Sequence, residues 1–361
     1  LWHNYGKSTI GARSDIEKVP IENLQAYYRK FYQPDNAVLL IAGKFDPTKT
    51  LKLVNEKFGV IPRPERVLTK TFTVEPTQDG EREVTLRRVG DVQQVGMAYH
   101  IPSGSHPDFI VCDVLVDLLT DAPSGRLYKA LIDTKKASSQ SGSTFQLKEP
   151  GFVYFNAEVL KSKSVDSVKN IMIETIEQFA KKAPTQEEVD RIKTKGLKSI
   201  ELLINNSQRV GVFLSEYIAL GDWRMLFHTR NQLEKVTVAD VQRVAEKYFK
   251  SANRTSGIFY PTEKPDRAEI PEAKEPGEIL KDFKGKAAVA EGEAFDPSPS
   301  NIDARTKTEK IAGVSLALLP KKTRGNSVYA RMTLRFGDEK SLTGKATAAD
   351  LAADMLTKGT A

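Results

Sequence analysis

The sequence predicts an α+β protein built from duplicated domains, in which helices pack against a sheet. The first observation is a helix followed by a buried strand between Val19 and Pro47. The second is a similar phrase between Val236 and Pro261. The third is the order of elements between the two phrases, where predicted strands at 81–89 and 92–101 are followed by two helices, a hairpin and then further helices. Separate runs of strands and of helices are typical of α+β folds.

The first phrase has the sequence VPIENLQAYYRKFYQPDNAVLLIAGKFDP. Its apolar residues recur at helical spacing, and Pro34 ends the predicted helix. The continuous apolar run from Ala37 to Ala42 predicts a buried strand that ends at Gly43. Asp46 and Pro47 predict the N-cap and the first turn of another helix.

The second phrase repeats the first without a gap, at an offset of 236 − 19 = 217 residues. Phe31-Tyr32 falls on Tyr248-Phe249, and Asn36 falls on Asn253. So long a period indicates a duplicated domain, because short solenoid repeats have periods of roughly 20–50 residues. The alternative is that any two helix–strand junctions share such a pattern.

Periodicity together with proline and glycine positions predicts the remaining elements. Helices are expected at 51–58, 108–120, 124–135, 164–180 and 184–204, followed by two more helices. A strand is expected at 255–259, in the second phrase, where the first phrase has its own predicted strand. A hairpin is expected from 145–146 and 152–159, and Ser139 to Ser143 is interpreted as a polar turn. Strands near 311–319 and 327–336 and a helix at 346–356 are expected at the end of the chain.

Composition limits the classes of protein to which this sequence could belong. The chain has 361 residues, with 40% hydrophobic and 28% charged residues, as in ordinary globular proteins. Its net charge of +7 is spread among acidic residues and lacks a nucleic-acid motif, so no nucleic-acid partner is predicted. No apolar run approaches the roughly 18 residues of a membrane helix. The single cysteine, Cys112, is predicted to be a buried small hydrophobe.

Proline-rich stretches divide the chain. Pro62 to Pro76 is a proline-broken connection, and 264–300 has the proline and charge content of an extended linker. The predicted domains are 1–75 (the end of a first domain), 76–262 (a complete second domain), 263–300 (the linker) and 301–361 (the start of a third domain). The chain lacks an initiator methionine, which favours a piece of a longer protein.

Three segments resemble the pitrilysin-like (insulinase-like) zinc metallopeptidases, including relatives of the mitochondrial processing peptidase. They are HNYGKSTIG (3–11), LQAYYRKFYQPDNAVLLIAGKFD (24–46) and SGRLYKALIDTK (124–135). The resemblance implies two halves joined by a linker and enclosing a chamber. Each half would have two related domains, with a mainly antiparallel sheet packed against helices.

The family's catalytic helix carries His-x-x-Glu-His, in which two histidines bind zinc and the glutamate activates water. The chain has four histidines, His3, His100, His106 and His228, and no two are one helical turn apart. The resemblance implies that the motif and the distant glutamate ligand precede Leu1. We therefore expect zinc in the full-length parent and none in this chain.

The third domain would be degenerate. The phrase GKATAADLAADMLTKGT (344–360) resembles the motif region, with Asp350 and Asp354 at the histidine positions and Ala353 at the position of the base. Two carboxylates could contribute to a hard-cation site only with several more oxygens. The alternative is a solvated helix face, as also expected for Asp113 and Asp117.

The second domain lacks another catalytic feature of the family. An arginine and a tyrosine seven residues later stabilise the transition-state oxygen in active members. By the resemblance these positions are Ile132 and Ser139. No catalytic, cofactor-binding or metal-ligating residue is therefore predicted between Leu1 and Ala361.

Two functions remain open. In the first, the chain is the non-catalytic central portion of a zinc metallopeptidase that cleaves peptides in a chamber. In the second, it belongs to a degenerate scaffold or partner subunit of the same fold. The expected partners are a peptide or unfolded polypeptide substrate and the other half of the same chain or a partner subunit. The compartment is undetermined, although the family's habits favour a bacterial periplasm or envelope.

Overall fold

The computed structural model describes residues 3–70, 73–286, 289–356 and 358–359. Leu1 and Trp2 lie outside the described residues, as do Thr357 and Thr360 of the last phrase. The described residues include HNYGKSTIG (3–11), which we call the Tyr-Gly segment. The chain forms two compact units, which we call the N-terminal unit (Leu1–Ala268) and the C-terminal unit (Glu269–Ala361). Each is described by itself.

The N-terminal unit contains ten helices and five strands within its described ranges. The helices are α1 (Arg13–Lys18), α2 (Ile21–Phe31), α3 (Pro47–Phe58), α4 (Pro107–Thr120), α5 (Arg126–Tyr128), α6 (Val165–Glu177), α7 (Gln186–Ile204), α8 (Arg209–Leu220), α9 (Met225–Lys235) and α10 (Val238–Tyr248). The strands are β1 (Arg82–Arg88), β2 (Gln93–Ile101), β3 (Ser139–Thr144), β4 (Gly151–Val159) and β5 (Arg254–Pro261).

The five strands form one sheet in the order β1-β5-β2-β4-β3. The β1–β5 pair is parallel, and the other three pairs are antiparallel. Helices α4, α6 and α10 contact this sheet. The mixed, mainly antiparallel sheet packed against helices confirms the predicted α+β class.

The core lies between the sheet and these helices. Alternate residues of β2, including Val95, Met97 and Tyr99, are fully buried and face the helices. Helix α4 is buried almost all round, with Leu115 and Leu119 fully inaccessible. A helix that is apolar on every side is stable only in a core, so its sequence favours this central position.

Side chains cap the starts of α3 and α7, and the cap predicted at Asp46 is one of them. The Asp46 side chain accepts hydrogen bonds from the backbone N–H groups of Thr48 and Lys49, and Pro47 opens α3. Thr185 and Glu188 form a reciprocal capping box at the start of α7. Each cap satisfies backbone donors that have no partner within the helix.

The interpretation of Ser139 to Ser143 as a polar turn is wrong. These residues belong to β3, which pairs with β4 at one edge of the sheet. A Cβ atom on Gly142 would lie 2.8 Å from Thr120 Cγ2 and 2.9 Å from Phe155 Cδ1. The polar composition does not indicate a strand, but Gly142 is small enough to pack under α4.

The single helix expected at 124–135 is also corrected. One turn of α-helix, α5, passes into a π-helical turn at Lys129–Asp133. The chain then leaves the helix through Lys135, whose φ angle is +55°. A wider turn admits one extra residue, which periodicity alone does not reveal.

The two phrases that repeat at an offset of 217 residues, which we call the echo, begin with helices of equal length. Helices α2 and α10 begin and end at the same offset, since 238 − 21 = 217 and 248 − 31 = 217. The strand expected at Ala37–Ala42 is not formed, whereas β5 follows α10. The difference is that β5 lies between β1 and β2, while residues 37–42 have no strand beside them in the described ranges.

The C-terminal unit contains helices α11 (Pro276–Ile279), α12 (Pro299–Arg305), α13 (Glu339–Leu342) and α14 (Ala346–Met355), and strands β6 (Lys307–Ile311) and β7 (Val314–Leu318). The strand expected at 311–319 is instead a hairpin, because Ala312 and Gly313 both have positive φ and turn the chain. The strand expected at 327–336 is wrong, since that segment lies in no sheet. The helix expected at 346–356 is confirmed by α14.

No helix within the described ranges is long and apolar enough to cross a membrane.

Candidate functional site

The face of the sheet that points away from the helices is the candidate functional surface. It carries the residues of β2 that alternate with the buried ones, among them Gly96 and Ala98. A depression of about 320 Å³ lies over this face, between Leu86, Tyr154 and Phe259. Its lining contains no charged side chain among the residues that the structure describes.

Two further cavities lie at one end of β2, and one of them adjoins this depression. Their volumes are about 280 and 370 Å³, and both are lined by His3, Glu75 and His100. The 280 Å³ cavity also shares Ala98 with the depression. The sequence alone does not predict that these residues form a site, because they come from separate segments that only the fold brings together.

Two histidine–carboxylate pairs border these cavities. His3 Nε2 lies 3.0 Å from Glu149 Oε2, and Tyr5 Oη accepts a hydrogen bond of 3.2 Å from the Glu149 backbone N–H. His100 Nε2 lies 3.6 Å from Glu75 Oε2. The Tyr-Gly segment at the start of the chain is therefore packed against the turn between β3 and β4.

The structure places Asp350 and Asp354 on the exposed surface of α14 together with Ala353. Among the described residues, no group of three or more histidine, cysteine, aspartate or glutamate side chains is arranged to hold a metal ion. The positions of α14 that resemble the zinc motif of the family hold no histidine ligand, and Asp350 and Asp354 are exposed there.

The expectation of a solvated helix face is wrong for Asp113 and Asp117. Both lie on the side of α4 that packs near β3, and the Asp113 carboxylate accepts a hydrogen bond from Thr144 Oγ1. Burial raises the pKa of Asp113. Burial, and then the charge of Asp113, raise the pKa of Asp117 to about 6. The signal in the sequence was the apolar surroundings VCDVLVDLLT, which leave no solvated face on this helix.

Ile132 and Ser139 do not form a polar pair. Ile132 belongs to the π-helical turn and packs against the core, while Ser139 is exposed on β3. Ser139 Oγ donates a hydrogen bond of 3.0 Å to Glu158 Oε2. Neither side chain could stabilise a developing negative charge, because one is apolar and the other is paired with a carboxylate.

A buried arginine anchors the start of β5. Arg254 is 7% exposed and forms ion pairs with Glu81 and Glu177. Tyr99 Oη donates a hydrogen bond of 3.1 Å to Glu177 Oε1. These contacts tie β5 to α6 and to β2, and so hold the end of the sheet that adjoins the two cavities.

A second buried charge joins α4 to α10. The Asp108 carboxylate is 2.7 Å from Tyr248 Oη, 3.2 Å from Lys247 Nζ and 2.8 Å from Arg243 Nη2. Burial alone would raise the pKa of Asp108, but hydrogen bonds from Arg243, Tyr248 and Lys247 outweigh it and hold the pKa well below its usual range. The network is structural, because it lies on the helix layer and not on the open face of the sheet.

With this architecture in view, comparison with known proteins identifies the family. Residues 18–195 match the family model described as the Peptidase M16 inactive domain. The chain belongs to the pitrilysin-like M16 peptidase family. The resemblance predicted from the sequence segments is thereby confirmed.

Individual M16 relatives match most of this chain. The zinc protease PqqE of Helicobacter pylori is 26% identical over 264 residues, covering 72% of this chain and 60% of the relative. The beta subunit of the mitochondrial-processing peptidase of Blastocladiella emersonii is 23% identical over 259 residues, covering 68% and 54%. The crystal structure of a protease from Helicobacter pylori superposes with a TM-score of 0.67 at 25% identity, covering 70% of this chain and 62% of that one. The chain thus spans about 60% of the length of the PqqE relative.

Proposed function

We propose that this chain is the non-catalytic central portion of a zinc-dependent metallopeptidase that cleaves peptides in an enclosed chamber. In this proposal residues 1–75 end a first peptidase-like domain and 76–262 form a complete second one. Residues 263–300 are the linker between the halves, and 301–361 begin a third, degenerate domain. The zinc motif would be on a preceding domain of the longer protein.

The observation that carries the proposal is the match of residues 18–195 to the inactive-domain model. Two features of the structure support it. The family's ligand positions in α14 hold Asp350 and Asp354, with Ala353 at the position of the base. Within the described residues, no helix lines the depression over one face of the sheet of the N-terminal unit, which suits a wall that faces a peptide.

Metal analysis of the chain tests its non-catalytic role. We expect less than about 0.1 equivalent of zinc after dialysis against micromolar zinc, because a stable zinc site needs three or four converging ligands. The variant Asp350→Ala serves as a control and should leave the zinc content unchanged. Stoichiometric zinc that is lost in this variant would contradict the proposal.

A degenerate scaffold or partner subunit of the same fold remains the second candidate. It is favoured by the loss of both histidines and the base in α14, and by the similarity to a protein named as a subunit. A peptidase assay on the longer protein, with and without a chelator, separates the two. Cleavage that the chelator abolishes supports the peptidase, and inactivity under both conditions with no bound zinc supports the scaffold.

A further inference from the structure

The two edges of the five-stranded sheet differ in how they are protected against pairing with another chain. At one edge, β1 has the sequence REVTLRR (82–88), in which four of the seven residues are charged. At the other edge, β3 has the sequence SQSGST (139–144), which contains no charged residue and no proline. Natural proteins place charges, prolines or bulges on edge strands to prevent contact with other strands. β1 therefore has this protection, and β3 lacks its charges and prolines.

The outer side of β3 presents backbone groups in a regular pattern. Phe145 N donates a hydrogen bond of 3.1 Å to Phe152 O, in the register of the β3–β4 pair. Hydrogen-bonded and non-hydrogen-bonded pairs alternate along an antiparallel ladder, so every second residue back from Phe145 bonds to β4. The N–H and C=O groups of the residues between them, Gln140, Gly142 and Thr144, therefore point away from β4. No strand of the described chain pairs with that side.

These outward groups are complementary to a second copy of themselves. When two β3 strands run antiparallel with Gly142 opposite Gly142, Gln140 of each copy lies opposite Thr144 of the other. All three residues then form hydrogen-bonded pairs, and such a ladder has about six N–H···O=C bonds. A shift of two residues leaves about four of these bonds, so pairing about Gly142 is the preferred register.

The side chains of β3 also fit a second copy better than a foreign peptide. Peptides that add to a sheet edge are selected by pockets for their alternate side chains. The linings of the three cavities described above include no residue of β3. The exposed side chains of β3 are the hydroxyls of Ser139, Ser141 and Ser143. Serine hydroxyls pair favourably across strands, whereas like charges directly opposite each other would repel.

We propose that two copies of this chain associate through β3. Each five-stranded sheet is extended across a two-fold axis at Gly142 into one continuous ten-stranded sheet. Six residues from each copy bury much less than the roughly 800 Å² per partner of a standard interface. The dimer is therefore weak, with a dissociation constant on the order of 100 µM.

The register provides a test by exchange of charges. In the proposed pairing, Ser141 of one copy lies opposite Ser143 of the other, and both side chains are exposed. Ser141→Lys/Ser143→Lys places lysine opposite lysine twice and should weaken dimerisation at least about tenfold. Ser141→Lys/Ser143→Glu places each lysine opposite a glutamate and should dimerise at least as tightly as the unmodified chain. Thr85→Lys adds a charge to the exposed strand β1 and is the matched control, which should leave dimerisation unchanged.

Sedimentation equilibrium of the full chain between about 5 and 300 µM measures the fraction of dimer. Circular dichroism melts establish that each variant is folded, and Ser141→Glu/Ser143→Glu replaces the lysine pair if that variant does not fold. A chain that is monomeric throughout this range would overturn the proposal. A dimer that both charge variants weaken equally would contradict the register, and a dimer that neither changes would have its contact elsewhere, so each of these results also overturns it.

A foreign strand is the other occupant that the same edge could take. The probe for it is a fluorescein-labelled hexapeptide of alternating threonine and valine, and fluorescence anisotropy measures its binding. If the chain stays monomeric and this peptide binds, with loss of binding in Ser141→Lys/Ser143→Lys, the edge belongs to foreign strands and the proposal is wrong. The inference does not rest on the proposed function, because neither zinc content nor cleavage is measured, so either can fail without the other.

Discussion

Asn36 and Asn253 donate the same hydrogen bond at positions 217 residues apart. Asn36 Nδ2 donates to Phe31 O at 3.0 Å, and Asn253 Nδ2 donates to Tyr248 O at 2.7 Å. In both cases the acceptor is the last residue of the preceding helix and lies five residues earlier. The echo seen in the sequence is therefore also an echo of side-chain geometry. Asn253 also contacts His100 of β2 twice, through a hydrogen bond of 2.9 Å to His100 O and a contact of 3.2 Å between Asn253 Oδ1 and His100 Nδ1.

This difference predicts unequal effects of the same substitution. Asn253→Ala removes two hydrogen bonds to partly buried carbonyl groups and the contact with His100 Nδ1, and should lower the free energy of unfolding by about 2 kcal/mol. Asn36→Ala is the matched control and should cost less than about 0.5 kcal/mol, because its bond is exposed to water. Urea unfolding followed by circular dichroism measures both. Equal losses of unfolding free energy would mean that the contacts of Asn253 with His100 of β2 do not contribute to stability.

The partly buried Asp117 predicts that stability increases as the pH is lowered from 7 to about 4.5. Its pKa is about 6 in the folded chain and 3.8 in the unfolded chain, so the folded state favours the protonated acid. The penalty is fully present above pH 6 and decreases as the pH falls through 6 toward 3.8. A shift of about two units corresponds to roughly 3 kcal/mol. Asp113, whose pKa is also raised, acts in the same direction.

Asp117→Asn should therefore raise the melting temperature at pH 7 by about 2–4 °C for each kcal/mol recovered. It should also flatten the profile of melting temperature between pH 7 and pH 4.5, although Asp113 retains part of the slope. Asp266→Asn, on an exposed residue, should change neither. A melting temperature that falls steadily from pH 7 to pH 4.5 in the unmodified chain would contradict this account of α4.

The Asp108 network predicts that loss of Asp108 lowers the free energy of unfolding more than loss of Lys247 does. Asp108→Ala leaves the half-buried Tyr248 hydroxyl without its acceptor and should cost about 2–3 kcal/mol. Lys247→Ala should cost less than about 0.5 kcal/mol, because the Lys247 side chain is 55% exposed. Chemical unfolding compares the two variants. The prediction fails if loss of the lysine is as damaging as loss of the aspartate.

Strand β3 predicts opposite outcomes for two neighbouring residues. Gly142→Val places a side chain against Val116 and Phe155, where a Cβ atom would already be 2.9 Å from each, and should cost about 1–3 kcal/mol. Ser141 is exposed on the other face, so Ser141→Val should be neutral or slightly stabilising, since valine favours strands. Thermal melts of both variants decide the matter. If both are tolerated equally, this segment behaves as a turn and not as a packed strand.

Much of the helical structure could be predicted from local signals. The helices predicted at 164–180 and 184–204 correspond to α6 and α7, and Asp46 and Pro47 form the predicted N-cap and first turn of α3. Strands were harder, because a strand is completed by its neighbours. The polar composition of β3 concealed its pairing with β4, and the apolar run at 37–42 suggested a pairing that the described chain does not make.

The candidate site could not be predicted in the same way. Glu75 lies in a proline-broken connection, His100 at the end of β2, and Glu149 in a turn. Nothing in their sequence neighbourhoods indicates that they border adjoining cavities. Nothing in the sequence around Gly257 indicates that this residue lines the depression over the sheet.

The sequence by itself determined the family, the helices and their caps, and the 217-residue echo, because these depend on spacing and on side chains close together in the chain. Tertiary structure alone decided which copy of the echo completes a sheet, since hydrogen bonds between strands require partners from distant segments. It also decided that Asp113 is enclosed while Asp350 is exposed, because the ionisation of a carboxyl group depends on what packs around it.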